Sequence, residues 1–204
     1  MNNLTKPSRR QFLLSALLLP FSSLARSGQP TPVYGEGPFY PTPKMRYPDT
    51  DSDLVKISGA VRAAGGEIVI VSGRVLDRSL RPLKNARVEI WQCDVNGRYI
   101  HDGEPYWQTR DQSFQGFGHA ITDAEGRYQF RTIKPVPYPG RCPHIHAKVW
   151  YQGKDRLTTQ LFLPNHPLNE RDGLYRHIPK SERERVHLNF DSADEPMATI
   201  DLII

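Results

Sequence analysis

The sequence is poor in cysteine, in long apolar runs and in excess charge, and each shortage limits the class of protein. Cys93 and Cys142 are its only cysteines, so the chain can form at most one intramolecular disulfide. The apolar run from Phe12 to Leu19 is roughly half of the ~20 residues that span a bilayer, which argues against a membrane anchor. Long helices are not expected, because 18 prolines and 15 glycines interrupt a chain in which strand-forming residues are frequent.

The excess of basic residues is small once the N-terminus is set aside. The chain has 27 Lys and Arg against 22 Asp and Glu, a formal charge of +5. Lys6, Arg9 and Arg10 lie in a segment that we expect to be removed, which leaves 24 basic residues against 22 acidic ones. So small and scattered an excess does not support nucleic-acid binding.

Residues 1–25 have the pattern of an export signal. Ser8-Arg9-Arg10-Gln11-Phe12-Leu13 resembles a twin-arginine motif, and Ser23-Leu24-Ala25 supplies a small-x-small site for cleavage after Ala25. The twin-arginine route carries folded proteins, so we expect a folded chain in a bacterial periplasm, without a membrane span after cleavage. That oxidising compartment permits a bridge between the two cysteines, and two free, partly buried thiols are the alternative.

The rest of the chain divides into an extended arm over residues 26–66 and a β domain over residues 67–204. The arm is rich in proline and glycine, and its segment Gly35–Pro41 is expected to pack on the domain. The domain pattern favours an all-β, antiparallel β-sandwich with binding-site loops at Ile100–Gln115 and Pro164–Glu184. Its predicted strands are Ile68–Leu76, Ala86–Gln92, Phe117–Thr122, Arg127–Thr132, His144–Tyr151, Leu157–Leu163, Arg185–Phe190 and Met197–Ile203.

The segment from Lys134 to His146 carries the most chemically informative residues. Strand alternation places His144 and His146 on one face, with Cα atoms about 7 Å apart, so both imidazoles can bind one metal ion. A lone His-x-His pair is more often structural. Here several prolines stiffen the approach and fix Tyr138, and Arg141 stands three residues before His144.

Several motifs follow one another in a fixed order: Val71–Asp77, Ala86–Gln92, Gly97–Tyr99, Thr132–Pro139 and His144–His146. In residues and spacing they resemble the intradiol ring-cleavage dioxygenases, and within that family the β-chain type of protocatechuate 3,4-dioxygenase. The resemblance covers about residues 67–165 and the final strand. It implies non-haem iron(III) with equatorial ligands Tyr99 and His144 and axial ligands Tyr138 and His146. It also implies Arg141, Tyr138 and Gln160 as catalytic side chains.

The residue types suit that chemistry. Two phenolates favour iron(III), and the metal lowers the phenol pKa from about 10, so the tyrosines bind deprotonated. A catechol-type substrate releases two protons on chelating the metal, and Tyr138 is one acceptor. Arg141 would stabilise the negative charge that develops on the ring before O2 attacks. The expected product is a muconate-type dicarboxylate that contains both oxygen atoms.

Two other functions fit parts of the sequence. The segment Val71–Tyr99 alone fits an exported, transthyretin-like binding module, which has no need of the segment Tyr138–His146. A zinc hydrolase could use the His pair, but it lacks an evident third ligand and general base. The other histidines are taken as surface or structural residues: His101, His119, His166, His177 and His187.

The substrate and the partners are less constrained. Residues 26–66 are too short and proline-rich for the helical N-terminal segment of catechol and hydroxyquinol enzymes, so protocatechuate is the preferred substrate. An α-type partner chain and a homo-oligomer both stay open.

Overall fold

A computed structural model describes residues 28–60 and 62–204 of the protein. Residues 1–25, on which the export prediction rests, lie outside these ranges, so the periplasmic location stays a prediction. Among the residues described, no helix is long and apolar enough to cross a membrane.

Two β-sheets form a sandwich, as the alternating pattern predicts. The strands are β1 Ile68–Leu76, β2 Arg87–Trp91, β3 Phe117–Ile121, β4 Arg127–Ile133, β5 His144–Tyr151, β6 Lys154–Phe162, β7 Met197–Thr199 and β8 Leu202–Ile203. One sheet has the order β4-β1-β7, with β8 also paired to β1, and the other has the order β3-β2-β5-β6. In the part of the chain that the structure describes, helix is limited to the single turn α1, Gly173–Arg176, and to 3-10 turns at Pro43–Met45, Trp107–Thr109, Asn169–Arg171 and Arg183–Val186.

The strand β5 is buried on both faces, and this property positions the candidate site. Ile145 and Val149 alternate into the core between the sheets, where both are fully buried. His144, His146 and Lys148 point to the opposite face and are buried as well. A strand with one apolar face and one buried polar face needs a second covering element.

The arm supplies that covering element by running across the sheet that contains β5, from β6 at one edge to β3 at the other. The backbone amide of Tyr34 donates to the carbonyl of Thr158 on β6 (2.8 Å), and the amide of His119 on β3 donates to Asp51 (3.0 Å). These bonds satisfy part of each outer strand, which would otherwise be open to pairing with another chain.

The predicted strand Met197–Ile203 is divided by Ile200 and Asp201 into β7 and β8, and both pieces pair in parallel with β1. The Tyr128 hydroxyl donates to the Ile200 carbonyl at 2.7 Å. A Cβ on Gly73 would lie only 1.8 Å from the same carbonyl oxygen. The close approach of the two backbones at Gly73 therefore depends on the absence of a side chain there.

The prediction of a strand at Arg185–Phe190 is wrong. The segment begins as a 3-10 turn over Arg183–Val186 and then makes one isolated bridge, between His187 and Phe162. Val186 and Leu188 are both buried, so the alternation of apolar residues resembled a strand although no ladder forms.

The strand β6 begins at Lys154, three residues before the predicted start. Gln152 and Gly153 have φ values of 53° and 71°, and Tyr151 pairs directly with Lys154 across them. This two-residue turn joins β5 and β6 into a hairpin, which extends the ladder to its end.

Candidate active site

The two histidines of β5 present their Nε2 atoms to each other, 3.2 Å apart. The Nδ1 atom of His144 lies 2.7 Å from the carbonyl oxygen of Cys142. Because a carbonyl oxygen only accepts, this bond places the proton on Nδ1 and leaves a lone pair on Nε2 of His144. The two Nε2 atoms therefore face one position, where they could hold a shared cation.

His146 is held between the sheet and the arm. Its ring stacks on Trp91, its cross-strand partner on β2, with centroids 4.7 Å apart and planes 11° apart. On the arm, a Cβ on Gly37 would come within 3.3 Å of the His146 Cε1 atom. Gly37 also has φ +74°, a conformation that favours glycine. Close contact of the arm with the imidazole thus depends on this glycine.

The tyrosines Tyr99 and Tyr138 complete a cluster of four rings. Their ring centroids are 5.4 Å apart, and those of Tyr138 and His144 are 5.6 Å apart. Tyr99 is fully buried, and its hydroxyl has no hydrogen-bond partner among the described residues. A buried hydroxyl without a partner is costly, so this atom is suited to an additional ligand.

A tight turn joins Tyr138 to Arg141. The Arg141 amide donates to the Tyr138 carbonyl at 2.9 Å, and Gly140 has φ +81°. Pro139 and Gly140 are the residues that a type II turn favours at its two central positions. The turn brings Nη1 of Arg141 to 3.2 Å from the Tyr138 hydroxyl.

Each of the three guanidinium nitrogens of Arg141 donates one hydrogen bond to a neighbouring side chain. Its Nη2 donates to Oε1 of Gln160 at 2.5 Å, and its Nε donates to Oδ2 of Asp172 at 2.9 Å. Gln160 in turn donates from Nε2 to the Gly35 carbonyl of the arm at 3.2 Å. The structure thus brings together all six residues that the sequence analysis singled out for the site.

Asp172 is a site residue that the sequence analysis missed. It is 1% exposed, and its carboxylate also accepts the backbone amide of Cys142 at 2.9 Å. Burial raises the pKa of Asp172, but hydrogen bonds from Cys142 and the charge of Arg141 outweigh it and lower the pKa to about 2. An Asp-Gly pair before a helical turn is a common cap, so the sequence offered no sign of a link to Arg141.

Phe39 of the arm forms a wall of the same site. Its ring stacks on Tyr99 with centroids 4.8 Å apart, and it meets Tyr138 edge-on at 6.1 Å. The Phe39 ring also meets the His101 ring edge-on, with centroids 5.8 Å apart, so Phe39 lies between His101 and Tyr99. The segment expected to pack on the domain therefore packs directly on the candidate ligands.

Burial sets the protonation of the four rings. It lowers the pKa of His144 to about 3, with a further contribution from the Arg141 charge, and the pKa of His146 is also well below its usual value. Burial raises the pKa of Tyr99 well above 10, and raises that of Tyr138 against the opposing charge of Arg141. Near neutral pH the imidazoles are therefore uncharged, and the phenols are protonated in the absence of a bound cation.

Cys93 and Cys142 are both free and buried in the structure. Cys142 is held through its backbone by Asp172, and the Cys93 thiol lies 3.6 Å from the carbonyl oxygen of Val136. Of the two outcomes left open by the sequence, the structure has the free thiols.

A cavity of about 350 Å³ opens beside the ring cluster, on the side of Tyr138 and Arg141. Leu168 and Arg171, from the long loop before α1, form its other wall. A larger cleft of about 1170 Å³ lies between the arm and strands β1, β3 and β4, and it contains none of the six predicted site residues. The smaller cavity adjoins the ring cluster and is the one that suits a reactant.

Comparison with protein families gives an independent view of the chain. A family model described as "Dioxygenase" matches residues 36–202. The chain is 36% identical over 189 residues to the protocatechuate 3,4-dioxygenase beta chain of Burkholderia cepacia, covering 87% of this chain and 76% of that one. It is also 28% identical to a hydroxyquinol 1,2-dioxygenase of Rhodococcus opacus, of which it spans 61%.

Two solved structures share the fold. One is the dioxygenase domain of a dioxygenase–carbohydrate-binding fusion from Streptomyces sp. SirexAA-E, with 34% identity, a TM-score of 0.66, and coverage of 86% of this chain and 98% of that one. The other is an intradiol ring-cleavage dioxygenase from Tetranychus urticae, with a TM-score of 0.68 and coverage of 87% and 95%. At 23% identity the second comparison supports the fold alone.

Proposed function

Because the chain belongs to the family of intradiol ring-cleavage dioxygenases, we propose that it uses non-haem iron(III) to cleave a carboxylated catechol, with protocatechuate as the preferred substrate. One observation carries the proposal. The two imidazole Nε2 atoms lie 3.2 Å apart and pack in one ring cluster with the buried Tyr99 and the half-buried Tyr138, beside a cavity of about 350 Å³. Because the members of this family are enzymes, the chain is an enzyme, and the alternative of a non-catalytic binding module is excluded.

The donor set fits iron(III) better than zinc. Phenolate oxygens are hard, anionic ligands, and Tyr99 has a buried hydroxyl that no described residue satisfies. Within the described ranges, no group of three or more His, Cys, Asp and Glu could hold a metal ion, so a zinc site with a third such ligand is not supported. Tyr99, Tyr138, His144 and His146 would hold the iron.

The difference in burial between the two tyrosines supports different roles for them. Tyr99 is buried against Phe39 and is suited to a permanent ligand, whereas Tyr138 is partly exposed and lines the cavity. Were Tyr138 to hold the metal as a phenolate, its oxygen would lie at the cavity, where it could accept a proton from the incoming catechol. When bound, iron(III) supplies the electron-accepting centre that makes a chelated catecholate reactive towards dioxygen.

Arg141 and Gln160 act on the charge of the bound ring. Nη1 of Arg141 lies 3.2 Å from the Tyr138 hydroxyl, so its positive charge adjoins the position that this tyrosine would leave to substrate. Its bonds to Gln160 and Asp172 fix the guanidinium in place before the reaction begins. A cation fixed in this way stabilises developing negative charge without having to reorganise.

The cavity wall supports an anionic substituent on the substrate. Arg171 lines the cavity and is exposed. The acid next to it, Glu170, pairs with Arg183 instead at 2.9 Å, and no described acidic side chain pairs with Arg171. Arg141 already has Asp172 as its ionic partner, whereas Arg171 has no such partner among the described residues and is suited to bind a substrate carboxylate. The Burkholderia relative, named for protocatechuate, supports the same choice.

Turnover under ¹⁸O2 tests the proposed function. The iron-loaded protein should consume one O2 per protocatechuate and yield a ring-opened tricarboxylate heavier by two oxygen atoms, with ¹⁸O incorporated and no hydrogen peroxide formed. Mass spectrometry and an oxygen electrode make the two measurements. An aldehyde-containing product would show cleavage outside the two hydroxyl-bearing carbons, and no oxygen uptake by iron-loaded protein would contradict the proposal outright.

A further inference from the structure

We propose that Asp172 is a positioning residue, which fixes the guanidinium of Arg141 against Tyr138 and Gln160 and so links the loop around α1 to the reacting atoms. The inference rests on the proposed function, because the orientation of Arg141 affects turnover only if Arg141 acts on the substrate. Sequence gives no reason to connect the two residues, which lie on different loops.

The carboxylate of Asp172 has no freedom to rotate. Its Oδ2 accepts from Nε of Arg141 and from the amide of Cys142, both at 2.9 Å. Its Oδ1 accepts from the amides of Leu174 at 2.8 Å and Tyr175 at 3.2 Å, which caps the single turn of α1. With four donors around two oxygens, each oxygen has a fixed direction.

The fixed carboxylate determines where the rest of the guanidinium points. A guanidinium is planar, so a bond from Nε to Asp172 sets the directions of both Nη atoms. These atoms meet the Tyr138 hydroxyl at 3.2 Å and Oε1 of Gln160 at 2.5 Å. The Arg141 side chain is 15% exposed and borders the cavity, so without Asp172 it has room to turn away.

A structural role alone makes a different prediction from a positioning role. A buried ion pair contributes to stability whether or not the protein turns over substrate, because an unpaired buried charge is costly. A positioning role lowers kcat in protein that is still folded and still binds substrate. Thermal unfolding, substrate binding without oxygen, and kcat therefore separate the two roles.

Asp172→Asn is the first variant to test. Asparagine keeps an oxygen for the amides of Leu174 and Tyr175, but its NH2 group then faces the donors of Arg141 and Cys142. We expect kcat for protocatechuate to fall about 10–100-fold, the cost of misplacing a catalytic group by roughly 1 Å. The protocatechuate dissociation constant measured under argon should change little. Asp77→Asn is the matched control, because Asp77 also accepts backbone amides and pairs with an arginine, Arg81, in an exposed turn.

A second variant covers the case in which Asp172→Asn does not fold. In Asp172→Ser, serine is also a favourable N-cap for α1, but its side chain is too short for the hydroxyl oxygen to reach Arg141. A fall in kcat in folded Asp172→Ser supports the proposal. Wild-type kcat in either folded variant overturns it, and failure of both variants to fold overturns it too, by assigning Asp172 to folding.

A double-mutant cycle with Arg141 tests whether Asp172 affects kcat through Arg141. In the Arg141→Lys background, Asp172→Asn should lower kcat much less than it does in the wild type, because the group that it positions is already gone. Fully additive losses would contradict the proposal. The wild-type protein separates this inference from the proposed function: an inactive wild type refutes the function, whereas an active wild type with unaffected Asp172 variants refutes the positioning role alone.

Discussion

Tyr138→Phe is expected to lower kcat for protocatechuate by about 10²–10⁴-fold, the usual contribution of a positioned proton acceptor. The substitution removes only the hydroxyl that would bind iron and then take the substrate proton. Phenylalanine keeps the ring contacts with Phe39, Tyr99 and His144, so the fold should be retained. Stopped-flow or steady-state oxygen uptake measures kcat, and circular dichroism measures the fold.

Tyr128→Phe is the matched control for loss of a tyrosine hydroxyl. Tyr128 lies on β4, and its hydroxyl donates to the Ile200 carbonyl on the other side of the sandwich from the ring cluster. Its loss should cost about 1 kcal/mol of unfolding free energy and leave kcat unchanged. If Tyr138→Phe turned over protocatechuate at the wild-type rate, the assignment of Tyr138 as ligand and proton acceptor would be wrong.

Arg171→Gln is expected to lower kcat/KM for protocatechuate by about 10–100-fold, which corresponds to one charge-assisted hydrogen bond of about 1.5–3 kcal/mol. Arg171 lines the cavity beside Tyr138 and has no acidic partner among the described residues. Catechol has no carboxylate, so its kcat/KM should hardly change. The measurement is the ratio of the two kcat/KM values in each protein.

Arg176→Gln controls for the loss of one positive charge from the same region. Arg176 is an exposed residue at the end of α1 and does not line the cavity. In this variant, the ratio of kcat/KM for protocatechuate to kcat/KM for catechol should equal that of the wild type. If Arg171→Gln lowered kcat/KM equally for protocatechuate and catechol, Arg171 would not bind the substrate carboxylate. The proposed preference for an acidic substrate would then lose its support.

The parts of the site that could be predicted from sequence are those set by local spacing. Alternation along β5 places His144 and His146 on one face, and Arg141 stands three residues after Tyr138 and three before His144. These contacts depend on residues two or three positions apart. The β-sandwich class followed in the same way from short apolar runs and turns, whereas the strand order within the sheets did not.

The parts that could not be predicted depend on contacts between distant segments. Asp172 reaches Arg141 across 31 positions, and Phe39 reaches Tyr99 across a still longer separation. The strand expected at Arg185–Phe190 failed for a related reason. Val186 and Leu188 are buried, so apolar and polar residues alternate there as they do in a strand. Among the described residues, however, the segment pairs with another strand only through the single bridge between His187 and Phe162.

The arm is more closely involved in the site than its composition indicates. Gly35 accepts a hydrogen bond from Gln160, Gly37 contacts His146, and Phe39 stacks on Tyr99. The division at residue 67 describes where the strands begin. It does not describe where the candidate site begins, because three residues of the arm lie against the side chains of the site.

The visible spectrum of the purified protein tests the central claim, an iron(III) site with two tyrosine ligands, most directly. The account predicts a broad tyrosinate-to-iron(III) band that shifts when protocatechuate is added under argon and returns to its original form as product appears in air. A colourless protein with stoichiometric zinc, or one that takes up no iron on reconstitution, would contradict it.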